Sequence, residues 1–202
     1  MKFSILISSF NKGKYINKCI NSCLSQKEKS YEIILYDNYS TDSTPKILGK
    51  FKSKVKIFRK KRVSNSPALN QIDLIKNAYK KSRGKIICLL DADDYYNDNK
   101  LFILNKYFKS KKKINTIFDL PIKDYSSYKI KFKDKKKFQK NIWPSIIPTS
   151  GISCRRSFFN EFLKKNFLDE YKNLEIDFRI NVYSRNLIKN YFICNDDLTN
   201  YR

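Results

Sequence analysis

The sequence predicts an α/β fold: a mostly parallel, Rossmann-like sheet with helices on both faces. Three observations predict it. Short apolar runs recur at Phe3–Ile7, Glu32–Tyr36, Val55–Phe58 and Ile86–Leu90, the signature of strands buried on both faces. The stretches between them carry helical spacing or helix-start signals, so strand and helix alternate as in crossover-connected parallel sheets. Three of the runs end in polar or acidic residues, at the sheet edge where α/β proteins bind ligands.

Taken in order, Phe3–Ile7 is the first strand. Residues 14–24 place Tyr15, Ile16, Cys19, Ile20, Cys23 and Leu24 on one helical face. Glu32–Tyr36 is the second strand. Thr44-Pro45 reads as a cap followed by proline at the first helical position. Val55–Phe58 is a short third strand. Ser66-Pro67 repeats the cap-plus-proline signal and opens a helix to about Ser82, closed by Arg83-Gly84. Ile86–Leu90 follows as the fourth strand. Asp98 is expected to cap a helix over Asn99–Phe108, and Lys109–Lys113 to form a solvated turn. Thr116–Leu120 reads as a strand. Residues 121–150 read as irregular, broken by Trp143-Pro144 and Pro148. Gly151–Cys154 suits a short strand, Ser157–Lys165 and Asn173–Ser184 suit helices, and Tyr191–Cys194 suits a late strand. With no repeat and no linker, one domain over 1–202 is expected, with a ligand-binding half (1–98) and a second half (99–202).

Composition sets bounds. The 202 residues carry a formal charge of +24, no His and five Cys. Such a charge fits polyanionic partners, phospholipid headgroups or nucleic acid. Yet Lys is scattered along the chain, and Asn, Ile, Phe and Tyr are abundant beside it, as A/T-rich codon usage produces. The lack of His excludes Ser-His-Asp and Cys-His nucleophiles and imidazole-bound zinc. The odd, CxxC-free cysteines read as reduced thiols of a cytoplasmic chain, at most peripheral on the inner face of a membrane. No run approaches the roughly 20 apolar residues of a membrane span.

The chemistry-bearing residues sit where strands end. Ile86–Leu90 runs straight into Asp91-Ala92-Asp93-Asp94. Carboxylates this close repel one another unless a cation joins them, and oxygen-only ligands suit Mg²⁺ or Mn²⁺. An acidic loop that caps the next helix is the plainer alternative. The second strand ends in Asp37-Asn38, whose carboxylate can accept from a ligand N–H or hydroxyl. The first ends in Ser8-Ser9-Phe10-Asn11, small polar groups beside an aromatic face.

Ile7-Ser8-Ser9-Phe10-Asn11, Asp37-Asn38-Tyr39-Ser40-Thr41-Asp42 and Leu90-Asp91-Ala92-Asp93-Asp94 together resemble family 2 glycosyltransferases of the GT-A fold. Pro148–Ser153 resembles the family's acceptor-side segment, Leu174–Arg179 its catalytic-base helix, and Leu198–Arg202 the end of its domain. Asn38 and Tyr39 depart from the family's second acid and glycine, and Ile176 separates Glu175 from Asp177.

The resemblance implies an inverting sugar transfer from a nucleotide-diphosphate sugar, with a UDP-sugar favoured, to a glycan or lipid-linked acceptor in cell-surface polysaccharide synthesis. Ser8, Phe10, Asn11, Asp37, Asn38, Asp91 and Ala92 would contact the donor. Asp91, Asp93 and Asp94 would hold Mn²⁺ or Mg²⁺, neutralising the leaving diphosphate. Asp177 or Glu175 would be the general base; two positions apart on a helix, they point to different sides, and Asp177 is the expected one. Arg155 and Arg156 suit either donor phosphate or a helix start. Trp143, Phe138 and Tyr128 suit sugar stacking or core anchoring. Two other classes remain: a nucleotidyltransferase, disfavoured by the single glycine in the loop after strand one, and a non-catalytic nucleic-acid-binding domain, suggested by charge alone.

Overall fold

The computed structural model describes residues 2–120, 122–124, 129–131, 146–165 and 171–202. In chain order the first half holds β1 (Phe3–Ser9), α1 (Ile16–Leu24), β2 (Tyr31–Asp37), α2 (Thr44–Gly49), β3 (Lys56–Arg59), α3 (Pro67–Lys81), β4 (Ile86–Asp91) and β5 (Tyr95–Tyr96). Then come α4 (Lys100–Ser110), β6 (Thr116–Asp119), β7 (Ile122–Asp124), β8 (Lys129–Lys131), a 3₁₀ turn (Thr149–Gly151), β9 (Ile152–Arg155) and α5 (Arg156–Leu163). The chain closes with α6 (Ile176–Val182), a π turn (Tyr183–Ile188), β10 (Tyr191–Cys194) and β11 (Thr199–Tyr201).

Among the described residues, seven strands form the main sheet in the order β10-β6-β9-β4-β1-β2-β3. β9 runs antiparallel to both neighbours, and the other pairings are parallel. The mostly parallel sheet is the one the alternation of elements predicts. Its register aligns three strand ends. Ser8 lies opposite both Tyr36 and Asp91, and Ser9 lies opposite Asp37, so β1, β2 and β4 end level with one another.

Side chains alternate along each strand, and the sheet is covered on both faces. Ile5, Ile7, Leu35, Cys88 and Leu90 pack with Ile16 and Ile20 of α1 and Leu101, Leu104 and Phe108 of α4. Leu6, Ile34, Ile87 and Leu89 pack with Ile72 and Ile75 of α3, Phe159 and Phe162 of α5, and Ile180 of α6. A fully buried Ile or Leu is worth about 1.5–3 kcal/mol. These two cores therefore hold the sheet rigid beneath its loops. All five cysteines are free and buried. Among the described residues no helix is long and apolar enough to cross a membrane.

Local signals fare unevenly. Ser66 caps α3, its hydroxyl accepting from the Leu69 N–H at 3.3 Å. Thr44 is not a cap: α2 starts after Ser43, and the Thr44 hydroxyl accepts from the Lys12 N–H at 2.9 Å. Asp98 does not cap α4 either. It pairs with Lys27 at 3.1 Å, while Gln26 from the end of α1 accepts from the Leu101 N–H at 3.0 Å. At α2 the Thr44 N–H donates to the neighbouring Asp42 Oδ1 at 2.9 Å, whereas at α4 the capping group comes from a residue distant in sequence. Within 121–150, expected to be irregular, β7 and β8 join β5 and β11 in a second sheet of order β5-β11-β7-β8. Tyr128, Phe138 and Trp143 lie outside the described residues.

Candidate active site

The level ends of β1, β2 and β4 floor a cleft of about 370 Å³. Ser8, Phe10, Asn38, Asp91, Ala92 and Asp93 line it, as do Lys12, Arg62, Gln71 and Glu175. Tyr201 and Arg202 line it too, because β11 pairs with β5 immediately after the acidic turn.

Asp91 is the last residue of β4. Its Oδ1 accepts from Gln71 Nε2 at 2.7 Å and from the Ser8 hydroxyl at 3.2 Å. Burial, and then repulsion from Asp93, push its pKa up to about 6 against those hydrogen bonds. Asp93 stays partly open and pairs with Lys12. Asp94 behaves differently from the other two. It is buried, with Oδ2 accepting from the Ser150 hydroxyl at 2.5 Å and Oδ1 from the Arg202 N–H at 3.0 Å. Burial first, then Asp91 and Asp93, push its pKa up to about 7. The acidic turn thus presents Asp91 and Asp93 to the cleft and turns Asp94 inward as an anchor.

Among the described residues, no three carboxylates or thiols converge as a closed metal cage requires. What remains is an open pair of carboxylates with oxygen donors only. That donor set suits Mg²⁺ or Mn²⁺ shared with substrate phosphates.

The β2 end departs from expectation in detail. Asp37 has no exposed surface. Its carboxylate accepts from the Ser40 N–H at 2.9 Å and from the Ser40 hydroxyl, and pairs with Arg59 at 3.5 Å. It therefore shapes the loop and does not line the cleft. Asn38 does line it, with Nδ2 donating to the Lys60 carbonyl at 2.8 Å. Tyr39 adopts φ 55°, where an L residue pays roughly 1–2 kcal/mol. Its ring lies 4.4 Å from the Arg59 guanidinium. Asn11, also left-handed at φ 51°, is exposed and clamps this loop: its Oδ1 accepts from the Thr41 N–H at 2.9 Å. Phe10 faces the cleft beneath Arg62, the guanidinium 4.0 Å from the ring centre.

Glu175 precedes α6 and lines the cleft. Asp177, in the first turn of α6, is largely withdrawn from solvent. Burial, then the charges of Glu175 and Asp91, push its pKa up to about 7. Its Oδ1 accepts from the Phe178 N–H at 2.6 Å. Arg155 and Arg156 have structural work instead: Arg155 donates to the Ile114 and Phe108 carbonyls, and Arg156 to the Gly84 carbonyl and the Ser82 hydroxyl.

The turn carrying Ser150 sits tightly against the end of β6; a Cβ on Gly151 would come 2.5 Å from the Asp119 carbonyl oxygen. Sequence reasoning passed over Gln71, Arg62 and Lys12. The one signal for Gln71 was its place in the helix opened by Ser66-Pro67, whose start lies at the ligand edge of the sheet.

Comparison with known proteins identifies a family and a shared fold. The family described as Glycosyl transferase family 2 matches residues 4–192. An uncharacterized glycosyltransferase of Nostoc sp. is 26% identical over 182 residues, which is 83% of this chain and 53% of the relative. The poly(ribitol-phosphate) beta-N-acetylglucosaminyltransferase TarS of Staphylococcus aureus is 30% identical over 103 residues, 50% of this chain and 18% of TarS. This chain therefore spans about half the length of the first relative and far less of the second. The crystal structure of TarS 1–349 with UDP superposes with a TM-score of 0.76 at 18% identity, covering 100% of this chain and 60% of that one. A mannosyltransferase from Pyrobaculum calidifontis, in complex with GDP-Man and Mn²⁺, superposes at 0.72 and 13% identity, covering 99% and 56%. At those identities the superpositions establish a shared fold.

Proposed function

Because this chain belongs to glycosyl transferase family 2, we propose that it transfers a sugar from a nucleotide-diphosphate donor, with a UDP-sugar favoured, to an acceptor hydroxyl with inversion at the anomeric carbon. The observation that carries this reading is one arrangement. Asp91 at the end of a buried strand and Asp93 just beyond it lie in the cleft, Glu175 lines it from the start of α6, and Asp177, two residues further on, is a carboxylate largely withdrawn from solvent beside Glu175.

In this reading the nucleoside lies against Phe10 and Arg62, with Asn38 offering its amide and Asp37 holding the loop that carries Asn38. Lys12 and Arg202 face the diphosphate. A divalent ion held by Asp91 and Asp93 would add charge neutralisation to the leaving group. Asp177 accepts the acceptor's hydroxyl proton. The acceptor oxygen forms its bond to the anomeric carbon as the bond to the diphosphate oxygen breaks. A base with a pKa near 7 is matched to that task; burial first, and then the charge of Glu175 beside it, keeps that pKa high.

The acceptor is taken to be a glycan or lipid-linked hydroxyl in cell-surface polysaccharide synthesis, in keeping with the similarity to the poly(ribitol-phosphate) beta-N-acetylglucosaminyltransferase TarS. The charge of +24 suits an anionic acceptor or membrane surface. Five unpaired cysteines suit the reducing cytoplasm. The single glycine after β1 remains the reason to rank a nucleotidyltransferase lower.

Calorimetric titration with UDP and Mn²⁺ tests the donor site. Wild type is expected to bind and Asp93→Ala to lose metal-dependent binding; equal binding by both proteins overturns the assignment. A screen of nucleotide sugars for metal-dependent hydrolysis then identifies the sugar.

A further inference from the structure

Lys100 is a fully buried cation, and the proposed transfer chemistry has no direct use for it. It lies in the first turn of α4 with no exposed surface, its ammonium 4.0 Å from the centre of the Tyr96 ring. All three of its N–H donors are used. They reach Asp119 Oδ1 at the end of β6 (2.8 Å), the Ser150 carbonyl (2.8 Å) and the Thr199 hydroxyl of β11 (2.6 Å). The Thr199 hydroxyl in turn donates to the other Asp119 oxygen.

A buried ion pair is weak evidence for stability, since apolar residues of the same volume often serve as well. Hydrocarbon could not, however, hold the Ser150 carbonyl, and Ser150 is the residue that grips the acidic turn. Its hydroxyl accepts from the Asp91 N–H at 3.0 Å and donates to Asp94 Oδ2 at 2.5 Å. Within the turn, the Asp94 N–H donates to the Asp91 carbonyl at 3.0 Å, and the Arg202 N–H closes the far side on Asp94 Oδ1. The hydrogen-bonded path therefore runs from Lys100 through Ser150 to both ends of the turn.

We propose that Lys100 is a positioning residue: by fixing Ser150 from beneath, it sets the backbone of the Asp91–Asp94 turn so that Asp91 and Asp93 face the cleft together. The proposal rests on the donor-site reading for its functional consequence. Its structural content is independent of that reading. The charge–dipole contact to the Ser150 carbonyl acts in a dry interior, where such contacts are strongest.

The experiment uses two variants. Ser150→Ala removes the hydroxyl alone. Lys100→Met with Asp119→Leu removes both buried charges, so that neither is left unpaired. Amide hydrogen exchange on the protein without ligand reads the turn directly. The Asp91 and Asp94 amides are expected to exchange at least tenfold faster in both variants, while amides of β1 and β2 keep their protection. Calorimetry with UDP is then run in Mn²⁺ and in EDTA. The variants are expected to bind about tenfold more weakly in Mn²⁺ and like wild type in EDTA, with melting temperatures that do not track the loss. Unchanged exchange at Asp91 and Asp94 overturns the proposal, as does wild-type Mn²⁺-dependent binding by the variants when Asp93→Ala has lost it. If wild type itself shows no Mn²⁺-dependent binding, the donor reading fails, and hydrogen exchange still decides the positioning role. Should the double variant not fold, Lys100→Gln, which keeps a donor for Asp119 but takes the charge away from the Ser150 carbonyl, replaces it in both measurements.

Discussion

Gln71 Nε2 lies 2.7 Å from Asp91 Oδ1, the same oxygen that the Ser8 hydroxyl approaches at 3.2 Å. One carboxylate oxygen is thus held from α3 and from β1 at once, which fixes the rotamer of Asp91. Gln71→Leu removes the closer restraint. A hydrogen bond to a charged group is worth about 1.5–3 kcal/mol, so UDP binding in Mn²⁺ should weaken by about tenfold or more. Titration of the variant checks this, and binding equal to wild type would mean that Gln71 only fills space.

Asp177→Asn should leave UDP binding intact and reduce transfer by about 10²–10⁴, the usual contribution of a general base. The pH profile gives a second readout. With its pKa pushed up to about 7, Asp177 is protonated and inactive as a base on the acid side, so kcat/KM should fall as pH drops below about 7. Glu175→Gln removes a repelling charge. Its acid limb should shift to lower pH, with a far smaller loss of rate. A full loss of transfer in Glu175→Gln with an active Asp177→Asn would reverse the two roles.

The same group makes stability depend on pH. Because the folded-state pKa of Asp177 is raised, the folded protein holds this proton more tightly than the unfolded chain does. Its contribution is therefore fully present below the unfolded carboxylate pKa of about 4 and lost as pH rises through about 7. Urea midpoints measured in EDTA between pH 5 and pH 8 should fall less steeply with pH for Asp177→Asn than for wild type. Parallel slopes would show that Asp177 is not withdrawn from water.

Tyr39 separates backbone strain from side-chain contact. Tyr39→Ala loses the Arg59 stack, worth about 0.5–1 kcal/mol, and keeps the left-handed φ. Tyr39→Gly loses the same stack but relieves about 1–2 kcal/mol of strain. Denaturation should therefore rank Gly above Ala in stability, with Gly near wild type. Ala equal to or above Gly would indicate that the loop relaxes out of the left-handed region.

These features differ in how far the sequence reveals them. Ile86–Leu90 running into Asp91 is visible because a strand buried on both faces must be apolar throughout, so the polar break locates its end. The β9 strand and the helix carrying Asp177 are visible through periodicity, though the register that brings Ser8 opposite Asp91 is not. Gln71 and Arg62 look like ordinary solvated polar residues until α3 and the loop after β3 are folded over the sheet edge. The inward turn of Asp94 and the capping of α4 by Gln26 depend on partners far along the chain, Ser150 and Leu101 among them, which no local pattern encodes. Asp37 illustrates the converse: its position was legible, and its engagement by Ser40 was not.

The antiparallel insertion of β9 between β4 and β6 has a consequence for how the protein is made. During synthesis, β1 to β4 are complete well before residues 152–155 leave the ribosome. Until then β4 is an edge strand with a bare row of N–H and C=O groups along an apolar segment, Ile86–Leu90, a ready template for pairing with another nascent chain. The strand that ends in the acidic turn is therefore open to misassembly until β9 arrives. A fragment ending near residue 98 should aggregate, whereas a chain extended through β9 shields that edge.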